Sequence, residues 1–149
     1  MSKMQKLNLP EYKFRLSKKK DKIYIFDEIR KKNIFLTPEE WVRQHVVQFL
    51  IKEQNYPKSL IAIEKEIKVN QLSKRFDILI FNSQGAHELI VECKAPKVKI
   101  TQAVFDQIAR YNLELNAKYL MLTNGLNHYY CKMDFDNKKY VFLKDCPKF

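Results

Sequence analysis

Glycine is nearly missing from this chain. Only Gly85 and Gly125 occur in 149 residues, and no Gly-x-x-x-x-Gly-Lys run is present, so the chain has no phosphate-cradling loop and no NTPase motor of its own. Cysteine is scarce too. Cys93, Cys131 and Cys146 make an odd count without metal-ligand spacing, which fits a reduced, cytoplasmic compartment better than a disulfide framework. No apolar run is long enough to cross a bilayer and no signal-peptide segment is evident, so no membrane role is expected. His45, His87 and His128 are scattered without acidic or cysteine partners at ligand spacing, and Ser59, Ser73 and Ser83 fall in turns away from any of them. A zinc centre and a Ser-His-Asp hydrolase are both disfavoured.

Acidic residues are outnumbered. Lys and Arg total 28 against 17 Asp and Glu, a net charge of +11 with a pI near 9.5. Such a surface suits an anionic partner, most often nucleic acid, although an ordinary solvated surface has the same composition. The excess is concentrated in residues 1–20, where Lys3, Lys6, Lys13, Arg15, Lys18, Lys19 and Lys20 face only Glu11. This leader reads either as a phosphate-contacting arm or as a solvated, flexible segment. Residues 21–149 read as a single domain.

Along that domain the pattern is β-β-α-β-β-β-α-β-β-β, an α/β arrangement with a mixed sheet flanked by helices. Lys22–Phe26 and Asn33–Leu36 form a first strand pair. Thr37-Pro38-Glu39-Glu40 starts a helix that reaches about Gln54, with Val42, Val46, Phe49 and Leu50 as its core stripe. Ser59–Val69 fits a strand whose apolar phase slips midway, followed by a turn over Asn70–Ser73. Arg75–Phe81 and Glu88–Lys94 make a hairpin around Asn82-Ser83-Gln84-Gly85, apolar on both faces and therefore central in the sheet. Thr101 caps a second helix, Gln102–Leu115, with Val104, Ile108, Tyr111 and Leu115 as its stripe. Lys118–Thr123, Tyr129–Met133 and Tyr140–Leu143 complete the strands.

The central hairpin carries three charges among its Ile, Leu and Val residues: Asp77, Glu92 and Lys94. Glu92 and Lys94 are two apart and share a face, roughly 7 Å from Cα to Cα. A hairpin closed symmetrically about Ser83-Gln84 sets Asp77 opposite Ile90 and Arg75 opposite Glu92. Asp77 then joins the same face, diagonal to Glu92 at about 7–8 Å. An odd loop or a bulge shifts that parity. Two carboxylates this close need a cation or a shared proton, and oxygen donors with room for water suit Mg²⁺. A plain salt bridge from Lys94 explains one carboxylate and leaves the other without a partner.

Asp77 followed after a hairpin by Glu92-Cys93-Lys94 resembles the PD-(D/E)xK nuclease motif, with Phe76 where proline often precedes the aspartate. The segments T-P-E-E-W-V-R-Q-H, K-R-F-D-I-L-I-F, L-I-V-E-C-K-A-P, D-Q-I-A-R-Y-N and L-T-N-G occur in that order between Pro38 and Met133. Together they resemble the domain family at the N-terminus of type I restriction enzyme R subunits. That resemblance implies a restriction-endonuclease-like core and Mg²⁺-dependent cleavage of DNA, with Mn²⁺ as a substitute. It implies Asp77, Glu92 and the Cys93 backbone carbonyl as metal ligands and Lys94 as the residue that orients the attacking water. Glu40 matches the place of a further acidic ligand, beside its reading as a capping-box residue. Gln107 and Tyr111 form a Gln-x-x-x-Tyr motif near such a site, although Tyr111 equally fits the apolar stripe. Arg43, Lys74, Arg75, Lys97 and Lys99 are candidate phosphate contacts. DNA, a separate motor or restriction-modification subunit and a second copy of the chain are the partners implied. The other reading is a nucleic-acid-binding or assembly module without turnover, and RNA is the remaining substrate choice.

Overall fold

The computed structural model describes residues 4–69 and 71–149. Two sheets, two α-helices and a short 3-10 helix (Lys58–Leu60) make up the regular structure of the described residues. The first sheet is antiparallel, in the order β1 (Leu16–Lys19), β2 (Lys22–Asp27), β3 (Lys32–Phe35). Strand β1 has no counterpart in the sequence reading, because L-S-K-K carries no apolar alternation. Its turn does have a local cause. Lys20 and Asp21 both take positive φ, 50° and 65°, the backbone of a two-residue hairpin turn whose twist matches the flanking strands.

The second sheet has six strands: β4 (Ile61–Val69), β5 (Leu72–Phe81), β6 (His87–Cys93), β7 (Tyr119–Thr123), β8 (His128–Asp134) and β9 (Lys139–Leu143), neighbours in that order. Every pairing is antiparallel except β6 with β7. That parallel pair needs a crossover, and helix α2 (Gln102–Leu115) supplies it. Helix α1 (Pro38–Lys52) lies on the opposite face. Thr37 accepts the Glu40 N–H at its start, and Pro38 occupies the first turn, where no intrahelical donor is required.

The core is double, as a sheet covered on both sides requires. Val42, Val46, Val47 and Leu50 of α1 pack on Ile78, Ile80, Leu89, Val91 and Met121. Phe105, Ile108, Ala109 and Leu115 of α2 pack on Leu79, Ile90, Leu120 and Leu122. Tyr111, expected in the apolar stripe, is half-buried, and Asn112 is a fully buried polar residue of α2. Its side chain exchanges hydrogen bonds with the N–H and carbonyl of Ala117, closing the left-handed turn at Asn116 that ends the helix. No helix among the described residues is long and apolar enough to cross a membrane.

The leader is tied to this body. Leu7 is buried against Gly125 and Val42, and the Asn8 N–H donates to the Gly125 carbonyl at 2.8 Å. Tyr12 and Phe14 pack beside Trp41 and His45 on the outer side of α1. Gly125 has φ +86° and a Cβ there would stand 2.9 Å from Leu7, so the turn after β7 admits only glycine without strain.

Candidate active site

The expected hairpin is present, but its register differs by two residues from symmetric closure. Phe81 pairs with His87 across a loop of odd length, Asn82–Ala86. A bulge then follows at Ile80/Phe81, after which Ile80 faces Leu89, Leu79 faces Ile90 and Ile78 faces Val91. The odd loop and the one-residue bulge cancel in parity. The ladder ends at Ile78 and Val91; carried one step further, that register sets Asp77 across from Glu92 and not from Ile90, which pairs with Leu79. Arg75 is corrected as well: its partner is Glu66 on β4, and its side chain is exposed.

Asp77 lies where the pleat is disturbed. Under strict alternation Phe76 and Ile78 share a face, yet Phe76 belongs to the α2 side of the core and Ile78 to the α1 side. Across from Asp77 on β4, Glu64 takes a left-handed backbone with φ +53°, and the ladder skips it between Ile63↔Ile78 and Lys65↔Phe76. This is the midway phase slip visible in Ser59–Val69. The distortion turns Asp77 towards α1. Its Oδ1 accepts from Arg43 Nη2 at 2.7 Å, and its Oδ2 accepts from the Cys93 N–H at 2.8 Å.

Arg43 is therefore not an exposed phosphate contact. It is buried on α1, bonded to Glu40 Oε1 at 2.5 Å by Nη1 and to Asp77 by Nη2. Burial works against its charge, but the hydrogen bond to Asp77 and the negative charges of Glu40 and Asp77 outweigh it and raise its pKa. Glu40 is 4% exposed, and its carboxylate does not return to the Thr37 backbone as a capping box would. Its Oε2 accepts instead from Arg30 Nη2 and Gln44 Nε2, both at 3.0 Å. Arg30 Nε in turn reaches Asp27 Oδ2 at 2.7 Å, and Gln44 Nε2 bonds the same oxygen at 3.0 Å. Burial pushes the Asp27 carboxyl up, but hydrogen bonds from the Arg30 backbone, the Arg30 side chain and Gln44 together hold it below the usual range. A chain of alternating charge thus runs from the end of β2, through α1, to Asp77.

Glu92 has no such partners. It is 7% exposed, and its Oε1 is buried without a hydrogen bond. Burial first, and the Asp77 charge second, push its carboxyl up to about 7, against the opposing pull of Lys74 and Lys94. Lys94 is half-buried and forms no ion pair among the described residues, although its backbone N–H is fixed to the Thr123 carbonyl at 2.8 Å. Lys74 lies over the Tyr111 ring, 4.7 Å from its centroid, which brings the tyrosine of the Gln-x-x-x-Tyr motif to the Glu92 side of the sheet. Gln107, one turn earlier, is exposed, as are Lys97 and Lys99 on the segment between β6 and α2. That segment is held to the β7–β8 turn by Asn124 Nδ2, which donates to the Val98 carbonyl at 2.9 Å.

Asp27, Arg30 and Gln44 do not stand out in the sequence. Their signals are local: Asp27 Oδ1 accepts from the N–H groups of Ile29 and Arg30, an Asx turn closing β2, and Glu40, Arg43 and Gln44 share one helix face. His45 and His128 have structural partners. His45 Nδ1 meets the Trp41 carbonyl, and His128 bridges Thr123 Oγ1 and the Asn8 carbonyl.

No group of three or more His, Cys, Asp or Glu among the described residues is arranged to hold a metal ion. What the site offers is a pair of carboxylates, Asp77 and Glu92, with one buried oxygen lacking a donor. Hard oxygen donors in this number fit Mg²⁺, which keeps several waters and takes few protein ligands. A buried Glu92 carboxyl, raised by desolvation and by the neighbouring Asp77 charge, is the electrostatic condition that a divalent cation relieves.

Comparison with known proteins bears on the fold and the family. A solved fragment of a candidate HsdR subunit of a type I restriction enzyme from Vibrio vulnificus YJ016 has the same fold, with a TM-score of 0.51 and 20% identity. The match covers 76% of this chain and 24% of that one, so the present chain spans far less than that protein's length. No match was found among curated proteins. The family described as type I restriction enzyme R protein N terminus (HSDR_N) matches residues 38–147, which include α1 with Glu40 and Arg43, the β5–β6 hairpin and α2. By that match the chain belongs to the type I restriction enzyme R protein N-terminal family.

Proposed function

We propose that this domain hydrolyses DNA phosphodiester bonds with Mg²⁺, or Mn²⁺ in its place, on the restriction-endonuclease-like core of its sheet. The observation that carries the reading is Glu92: a buried carboxyl with an orphaned oxygen, one strand across from Asp77 and two residues before an unpaired lysine. Asp77, Glu92 and the Cys93 carbonyl would hold the metal. When bound, it would polarise a phosphoryl oxygen and lower the pKa of a water. Lys94 orients the attacking water and offsets charge growing on the phosphoryl oxygens. The Cys93 N–H fixes the Asp77 carboxylate, so that its position is set by the backbone of β6. Lys74, Lys97 and Lys99 are the phosphate contacts of this reading, and Gln107 and Tyr111 flank the substrate from α2. Arg43 and Glu40 stand behind the carboxylates. A separate motor or restriction-modification subunit, and pairing of two copies to cut both strands, fit a domain with no NTPase loop of its own.

A second reading has an observation in its favour. Both oxygens of Asp77 already have donors, Arg43 and the Cys93 N–H, as a binding module without turnover would allow. The two separate in one assay. The proposed nuclease nicks DNA with Mg²⁺, stops in EDTA, and loses at least about 100-fold in rate with Lys94→Ala or Asp77→Ala while circular dichroism stays native. Salt-sensitive binding without cleavage by any divalent metal supports the module instead. RNA and DNA substrates run in parallel fix the substrate class.

A further inference from the structure

Arg43 occupies an unusual position for a site that takes a metal. Its Nη2 lies 2.7 Å from Asp77 Oδ1, and no other side-chain cation among the described residues is within 4.0 Å of Asp77. The guanidinium is not locked there. Nη1 is anchored on Glu40 at 2.5 Å, while Nε is buried without a partner. Two further carboxylates stand near the nitrogen that holds Asp77: Glu64 Oε1 at 3.7 Å and Glu39 Oε1 at 3.9 Å. Releasing Asp77 would therefore leave Nη2 with other acceptors in reach and Nη1 where it is. The Asp77 charge also acts on Glu92, with its orphaned Oε1, and Lys74 and Lys94 are the cations acting there.

We propose that Arg43 is the placeholder cation of this site: it neutralises Asp77 in the metal-free domain and yields Asp77 Oδ1 to a divalent ion, swinging towards Glu64 and Glu39, so that it sets the metal affinity. This rests on the metal-site reading above. A bound divalent ion and a guanidinium compete for one carboxylate, because each repels the other and each supplies the charge that Asp77 requires. Arg43 is thus a positioning residue that acts through Asp77. It keeps the acidic group ordered without metal and lowers affinity until the ion displaces it.

The test is Mn²⁺ binding by isothermal titration calorimetry to the full chain, alongside Arg43→Gln and the double variant Glu40→Gln, Arg43→Gln, which removes one charge of each sign. Both should bind Mn²⁺ about tenfold tighter or more than the parent chain. Their melting temperatures should also rise more on adding Mn²⁺. A variant that folds only when Mn²⁺ is present shows the same replacement. Unchanged or weaker binding in a folded variant overturns the placeholder role, as does a failure of both variants to fold with or without Mn²⁺. If the parent chain binds Mn²⁺ and Asp77→Asn does not, the metal-site reading survives that failure. If no chain binds Mn²⁺, or Asp77→Asn binds as the parent does, the metal-site reading fails first and the placeholder falls with it.

Discussion

Helix α2 covers its face of the sheet with Phe105, Ile108, Ala109 and Leu115, and Asn112 is the polar side chain buried with them among the described residues. Helix α1 covers the other face with Val42, Val46, Val47 and Leu50, yet it also buries Glu40, Arg43, Gln44, His45 and Gln48. An apolar face suffices to cover a sheet, as α2 shows. The polar face of α1 serves something else. It turns away from the sheet core, binds the β2–β3 hairpin through Asp27 and Arg30, and reaches Asp77 through Arg43. Buried ion pairs seldom add stability over an apolar replacement, but breaking one is costly. The charged network is thus better explained as a device for holding Asp77 than as a source of stability.

The contrast can be broken by substitution. Arg43→Ala should have the largest effect, destabilising the metal-free domain by about 3–5 kcal/mol, because Glu40 and Asp77 lose their shared cation in a buried place. Urea denaturation measures it, and an effect below about 1 kcal/mol would mean that the network is solvated and α1 is no different from α2. Glu92→Gln comes next, with the opposite sign. The folded-state pKa of Glu92 is raised to about 7, so the folded chain holds a proton that the unfolded chain releases near 4.5. Stability should therefore fall as pH rises from about 4.5 through 7, by up to about 3 kcal/mol, and Glu92→Gln should abolish that fall. Denaturation at pH 5 and pH 8 for both chains gives the comparison.

Smaller changes sharpen it further. Thr37→Ala removes the acceptor for the Glu40 N–H and should cost about 1 kcal/mol at any pH. Ile108→Val, on the apolar face, should also cost about 1 kcal/mol, with the same value at pH 5 and pH 8 and at low and high salt. A salt- or pH-dependent cost at Ile108 would show that the two faces are not electrostatically separate.

Much of this fold is legible in the residues. Val, Ile and Leu runs on both strand faces place β5 and β6 in the middle of the sheet, and Thr37-Pro38 and Thr101 mark both helix starts. The hairpin that brings Asp77 and Glu92 to neighbouring strands is legible, but the register and the direction of Asp77 are not, because neither the bulge at Ile80/Phe81 nor the break in the pleat at Asp77 has a mark in the sequence of β5. The leader is harder. Its charges dominate the composition, while its attachment depends on Leu7, Tyr12 and Phe14, single apolar residues whose partners lie far along the chain. Arg43 misleads for a related reason: a lone arginine on a basic chain reads as a phosphate contact, and only the fold brings Glu40 and Asp77 to it from two different elements.

Cleavage of supercoiled plasmid by the purified chain in Mg²⁺, with Lys94→Ala as the matched control, bears on the proposed site without intermediaries. Nicked or linear product is expected with the parent chain, none in EDTA, and none above background with Lys94→Ala at native circular dichroism. Cleavage that persists unchanged in Lys94→Ala would contradict the assignment of Asp77, Glu92 and Lys94 as the nuclease site.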